Sequence, residues 1–442
     1  MRILLLNYDN GDTAGWFPQG LAHIASGLRK TTPKAEVSVL DLNVIHDNRV
    51  LKTWLDLWEW DIIGLSFIGG YWQYRQFKEL MAIINAHPRR SKMYVMAGGH
   101  LFAPNPSYFF NKFGVDCVVL GDGENIREVI EKQPRGLYYP KLLDIDAIPW
   151  PAYDMFDISH YRLLRMPNCS KTDYCLPVLS SRGCPFRCNF CYRMDKHIRM
   201  RHVEALVDEL KFLMRTYRIS YFAFADELLM MSEKRAIEVS EALMPLGIKW
   251  DCNGRLNYAK PEVLDAMKRA GCVFVNYGIE AFDDRVLGNM HKRLDCDTIV
   301  KGVEATLAAG ISPGLNLIWG NIGDNSATLN QAVDFLLKYD DQAQLRTIRP
   351  VTSYPGSQLF DEAIKRGLID NFEDFYENKH VNSDLFACNF MGMTNEEAHR
   401  FLFEANARLL EHYHERVRVK YQQQLVDLYL RQNAEFRGWR TR

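Results

Sequence analysis

Ser181-Arg182-Gly183-Cys184-Pro185-Phe186-Arg187-Cys188-Asn189-Phe190-Cys191-Tyr192 carries three cysteines at C-x3-C-x2-C, directly after the apolar run Leu176 to Leu179. Three thiolates are one too few to close a zinc site or to hold all four irons of a four-iron four-sulfur cluster. Such a triplet therefore leaves one iron open to an outside ligand. A zinc knuckle would need a distant fourth ligand, and zinc pairs usually come as two C-x2-C halves, of which the second is missing. The remaining cysteines, Cys117, Cys169, Cys175, Cys252, Cys272, Cys296 and Cys388, are scattered and form no second motif. A reactive thiol triplet calls for a reducing compartment, and a disulfide framework is not expected in a chain of this size.

Outward from this loop the chain is long, at 442 residues, enough for two or three domains with full cores. Its formal net charge of -1 argues against a polyanion partner, and Pro88-Arg89-Arg90-Ser91-Lys92 reads as a solvated turn. The opening run Arg2-Ile3-Leu4-Leu5-Leu6 is too short for a signal peptide or a membrane span, so a cytoplasmic protein is expected.

Upstream of the loop, strand-like runs at Arg2 to Tyr8, Glu36 to Leu42, Asp61 to Phe67, Met93 to Ala97 and Asp116 to Leu120 alternate with helical patterns. This predicts a doubly wound parallel sheet over residues 1–133, flavodoxin-like, with ligands at the carboxyl ends of the strands. Glycines stand at those ends: Gly69-Gly70, Gly98-Gly99 and Gly121-Asp122-Gly123. Residues 134–174 read as a connector rich in proline and aromatics, with Trp150 and Tyr153 expected to pack. Downstream, six strand signals predict a partial barrel over 175–375: Pro177 to Ser181, Ser220 to Ala225, Lys249 to Asn253, Val273 to Tyr277, Gly314 to Trp319 and Gln344 to Ile348. Residues 376–442 are expected to be helical, Ala398, Phe401, Leu402, Ala405 and Leu409 recurring on one face, with Arg416 and Lys420 on a solvated basic face.

The cysteine spacing, with Phe190 directly before Cys191, resembles the cluster loop of radical S-adenosylmethionine (SAM) enzymes. A flavodoxin-like unit placed ahead of it resembles the members of that family that carry a cobalamin-binding domain. The resemblance implies that Cys184, Cys188 and Cys191 hold a [4Fe–4S] cluster whose open iron is chelated by SAM. It places Phe190 by the adenine, Asp226 or Glu227 at the methionine amino group, Arg255 at the SAM carboxylate, Glu280 at the ribose and Gly320 beside adenine. Ser66, Gly69, Gly98, Gly99 and Gly123 are implied at cobalamin. The loop Asp9 to Gly15 departs from the Asp-x-His-x-x-Gly of methionine-synthase-type domains in having no histidine, so cobalt is expected without a protein imidazole.

The function so implied is a cobalamin-dependent radical SAM methyltransferase acting at an unactivated carbon or at phosphorus. Its expected partners are a small-molecule or natural-product substrate and an electron donor of the flavodoxin or ferredoxin type. The alternatives are a radical cyclase or rearrangement enzyme of the anaerobic porphyrin-ester cyclase type, and a non-catalytic cobalamin or redox sensor.

Overall fold

The computed structural model describes residues 1–11, 15–193 and 197–435. Six parallel strands form the first sheet: β1 (Arg2–Asn7), β2 (Glu36–Asp41), β3 (Ile62–Ser66), β4 (Tyr94–Gly98), β5 (Cys117–Val119) and β6 (Gly136–Tyr138). They lie in the order β2-β1-β3-β4-β5-β6. Ile3 to Leu6, Ile62 to Leu65 and Val95 to Ala97 are buried without alternation, as strands covered by helices on both faces must be. The chain leaves β1 outward to β2 and returns past it to β3. The carboxyl ends of β1 and β3 therefore bound the crevice where such sheets bind ligands.

Strand β6 comes from the segment read as the start of the connector. Its signal is three residues long and half exposed, so no apolar run announces it. Backbone pairing with Cys117–Val119 alone makes it a strand.

The second sheet is built from β7 (Cys175–Val178), β10 (Tyr221–Phe224), β11 (Lys249–Gly254), β12 (Cys272–Glu280), β13 (Ser312–Trp319) and β14 (Arg349–Pro350). Its order, β14-β13-β12-β11-β10-β7, follows the chain, and β7 and β14 are its open edges: a partial barrel. The last strand lies beyond the expected Gln344 to Ile348. Buried Arg346 explains the displacement. Its guanidinium donates to Pro313 O at 2.8 Å, to Tyr339 O at 3.1 Å and to Asp341 at 2.7 Å, which pins this stretch across the base of β13 before pairing can begin.

Two further strands, β8 (Ser181–Arg182) and β9 (Arg199–Met200), pair antiparallel and close the neck of the cysteine loop. Gly183 leaves that neck with φ +89°, and a Cβ there would fall 2.2 Å from His197 O, so only glycine fits.

The helix Asn395–Leu425 starts on a capping box between Thr394 and Glu397 and lays Ala398, Leu402, Ala405 and Leu409 into the core beside the helix Ser326–Lys338. On the expected basic face, Arg416 donates to Asp340 O at 3.0 Å. Ahead of this helix, Leu359, Phe372, Phe375 and Tyr376 pack into one cluster with Leu4, Leu65, Phe77 and Phe109 of the first module. Glu377 accepts from Tyr74 at 2.6 Å and from Lys78 at 2.7 Å. The connector is buried on the other side, where Tyr153 and Tyr161 pack with Phe17, and Tyr153 donates to Glu209 at 2.7 Å. Among the described residues no helix is long and apolar enough to cross a membrane.

Candidate active site

The two sheets meet at their carboxyl ends. A cavity of about 710 Å³ lies between them, lined by Ala103, Leu120, Gly121 and Tyr139 from the first module and by Cys188, Cys191 and Tyr192 from the cysteine loop. This volume falls within the range of roughly 300–1,000 Å³ usual for ligand pockets.

The three cysteines are neighbours. Burial raises the Cys191 thiol to about 12, and the charges of Cys188 and Cys184 push it further in that direction. Cys184 is raised too, chiefly by burial, while the Phe186 N–H and Arg255 oppose the rise. Three thiolates this close repel one another unless a cationic centre joins them, and a cluster core with an open iron fits that donor set. Among the described residues no three ligating side chains already converge on one metal-sized point. The loop is held from behind. Asn189, buried, exchanges amide hydrogen bonds of 3.2 and 3.1 Å with fully buried Asn321 in the loop after β13, and its backbone takes Leu359 N–H at 2.8 Å. Neither asparagine stood out in the sequence, since a paired buried amide leaves no pattern there.

Around the loop the strand ends supply the expected residues with differing freedom. Asp226, at the end of β10, is fully buried and accepts from Ser180 N and from the Ser180 and Ser181 hydroxyls at 2.7, 2.5 and 2.6 Å. Its carboxylate is spent on those donors. Glu227 is exposed and acts electrostatically on both Cys184 and Cys191, so it is the carboxylate that faces the site.

Arg255, after β11, has its guanidinium carbon 3.6 Å from the Phe186 ring centroid. It donates through Nη2 to Lys292 O and, at 3.4 Å, to Arg293 O, and through Nε to Asn257 at 3.4 Å. A two-pronged grip on a carboxylate would have to break these bonds. Glu280, at the end of β12, sits at φ +72° beside a register skip, a conformation that costs a non-glycine residue about 1–3 kcal/mol. It accepts from buried Lys292 at 3.1 Å, and Lys292 in turn lies 5.9 Å from the centre of the Phe190 ring. Gly320 has φ +103°, and the space of its Cβ is taken by Phe386, whose Cε1 would be 2.4 Å away. Its nearest neighbour is thus a side chain of the C-terminal segment.

In the first module, Ser66 and Gly98 are register partners at adjacent strand ends. Gly99, at φ +101°, lies so close to Phe67 O that a Cβ would reach within 2.4 Å. Gly69 opens the turn into the helix Tyr71–Ala86. Gly123 is elsewhere: it packs under Ile24 of the helix Gln19–Thr31, while Gly121 lines the cavity. Asp122 and Glu124 beside it are buried and paired with Arg182 and Arg199, the residues of the neck at β8 and β9, Asp122 with Arg182 at 3.1 Å. That ionic tie couples the two modules and was not legible as a motif.

Of the loop read as lacking a histidine, Asp12, Thr13 and Ala14 lie outside the described residues. Asp9 carries the interaction that the sequence did not foretell: its carboxylate meets His46 Nδ1 from the turn after β2 at 3.0 Å.

A doubly wound domain set face to face with a partial barrel, with three thiols of an open-iron motif at the junction, defines a protein built to hold two cofactors against one cavity. Residues 178–336 match the family model described as the radical SAM superfamily, and residues 13–131 match the B12 binding domain. The chain thus joins a B12 binding domain to a radical SAM domain.

It is 27% identical over 381 residues to an uncharacterized methyltransferase of Pyrococcus horikoshii, covering 80% of this chain and 79% of that one. It is 24% identical over 413 residues to an anaerobic magnesium-protoporphyrin IX monomethyl ester cyclase of Rubrivivax gelatinosus, covering 85% and 72%. The fold matches the radical SAM methyltransferase TsrM of Kitasatospora setae with a TM-score of 0.69 at 17% identity, covering 91% and 88%. The chain spans 54% of a bacteriochlorophyllide d C-12(1)-methyltransferase of Chlorobaculum tepidum and 55% of the solved chain of the cobalamin-dependent S-adenosylmethionine radical enzyme OxsB.

Proposed function

We propose that the protein is a cobalamin-dependent radical SAM methyltransferase acting on a small molecule. The observation that carries this reading is the cavity shared by Cys188 and Cys191 of the cysteine loop and Leu120 and Gly121 of the B12 binding domain. When bound, the cluster with SAM supplies a hydrogen-abstracting radical and cobalamin supplies a methyl group. The chain supplies placement, charge and exclusion of water.

Cys184, Cys188 and Cys191 would hold three irons. Glu227 is positioned for the SAM amino group, and Glu280, oriented by Lys292, for the ribose hydroxyls, with Phe190 beside them. Ser66, Gly98 and Gly99 line up at the strand ends where the B12 binding domain would take the nucleotide tail. A flavodoxin- or ferredoxin-type protein is the electron donor, nucleic acid is not a partner, and the cytoplasm is the reducing compartment that free thiols of this kind require.

Anaerobically reconstituted protein with reductant, cobalamin and a candidate substrate should form S-adenosylhomocysteine and 5'-deoxyadenosine together, because one SAM remethylates cobalt and another makes the radical. A second reading, ring closure or rearrangement, is favoured by the likeness to the ester cyclase. It predicts 5'-deoxyadenosine alone. SAM left intact under reducing conditions would support a sensor instead.

A further inference from the structure

Arg255 is a cation at the cysteine loop whose surroundings differ from those of a substrate-binding arginine. It is 6% exposed, and its guanidinium carbon lies over the ring of Phe186, 3.6 Å from the centroid; Phe186 stands between Cys184 and Cys188 in the loop. Lys292 O and Arg293 O, from the turn after the helix Asp284–Asn289, hold it from one side, and Asn257 meets its Nε. On the other side the Phe186 stacking sets it against the Cys184–Cys188 stretch, whose thiol charges would attract it. Of the carboxylates nearest the site, Glu227 faces Cys184 and Cys191. Glu280 is engaged by Lys292, and Asp226 by Ser180 and Ser181.

We infer that Arg255 serves the cluster and not the SAM carboxylate: fixed by backbone carbonyls and the Phe186 ring, it holds its charge against the Cys184–Cys188 stretch and sets the cluster's reduction potential. This rests on the radical SAM reading above. Reduction adds one electron from an outside donor to the cluster and makes the thiolate-ligated centre more negative. Arg255 stabilises that added charge, as hydrogen bonds to sulfur and local positive charge do in iron–sulfur proteins. A buried cation here also offsets the mutual repulsion of the three thiolates. Arginine suits the place better than lysine, because the planar group can stack and donate at once.

The test is a dithionite titration of the anaerobically reconstituted full chain, with redox mediators, following the electron paramagnetic resonance signal of the reduced cluster. SAM affinity is measured in parallel by calorimetry. Arg255→Gln should shift the midpoint to more negative potential, about tenfold fewer reduced clusters at a fixed poise or about 59 mV for one electron. Arg255→Lys and Phe186→Leu should shift it less, and SAM affinity should change little in all three. An unchanged midpoint in Arg255→Gln at full iron content overturns the inference. So does a tenfold or greater loss of SAM affinity without a midpoint shift, which would return Arg255 to the SAM carboxylate. Loss of the cluster from both Arg255 variants also overturns it, since the residue would then be needed for assembly. A parent protein that takes up no [4Fe–4S] cluster would instead sink the radical SAM reading itself.

Discussion

Asp226 and Glu227 stand side by side at the end of β10, and one peptide unit gives them opposite roles. Asp226 points into the protein, where three donors require a carboxylate; Asp226→Asn should lower stability by about 1–3 kcal/mol in urea melts, while SAM binding stays. Cys188→Ala should abolish SAM cleavage and reduce bound iron from about four per chain. Glu280→Gln should weaken SAM binding roughly ten- to a hundredfold, the loss of a charge-assisted bond, and should also destabilise the fold because Lys292 then keeps a buried charge.

Asp324 bears on pH. Burial raises its carboxyl from 3.8 to about 6, although Gly320 N, Asn321 N and the Thr328 hydroxyl all donate to it. The native state then binds this proton more tightly than the unfolded chain. The stability it contributes as a neutral acid is complete below about pH 4 and is lost as pH rises through about 6, about 3 kcal/mol in all. Asp324→Asn is neutral throughout, so in urea melts the gap between variant and parent should change by that amount between about pH 4 and pH 7.

At the scale of elements, the neck of β8 and β9 is the joint. Arg182 and Arg199 reach from it into the turn after β5, where Asp122 and Glu124 are buried, so the neck of the cysteine loop is tied to the wall of the cavity at Gly121. Buried ion pairs cost heavily when one partner is removed. Arg182→Ala should therefore destabilise the protein by about 3–5 kcal/mol in denaturant melts. It should also lower cobalamin affinity, because Arg182 holds Asp122, the residue next to Gly121 in the cavity wall. Normal cobalamin retention in a folded Arg182→Ala protein would show that the joint is structural only.

At the scale of the molecule, the two modules are bound by more than their connector. Phe375 and Tyr376, far along the chain, are packed among Leu4, Leu65 and Phe77, and the C-terminal segment also fills the space above Gly320 with Phe386. The first module is thus held over the barrel, which is the arrangement a shared cavity needs. The purified protein should bind cobalamin, and the cob(II)alamin spectrum should lack strong axial coupling to nitrogen. If coupling appears, His46→Ala should remove it, because His46 is the imidazole that Asp9 holds beside the first loop.

The cysteine spacing and the class of both modules were legible in the sequence alone. The reason is that metal ligation needs fixed spacing within a few residues, and parallel strands need unbroken apolar runs, so both are written locally. Strand β6, the late start of β14 and the partners of Arg255, Asp226 and Gly320 were decided only in the tertiary structure. Each depends on a group far away in the chain: β5 pairing with Gly136–Tyr138, Pro313 O holding Arg346, Lys292 O holding Arg255, Ser180 filling Asp226, Phe386 covering Gly320. A residue's type states what it can donate, accept or cover. Which of those capacities is left over for a ligand is decided by the neighbours that folding brings to it.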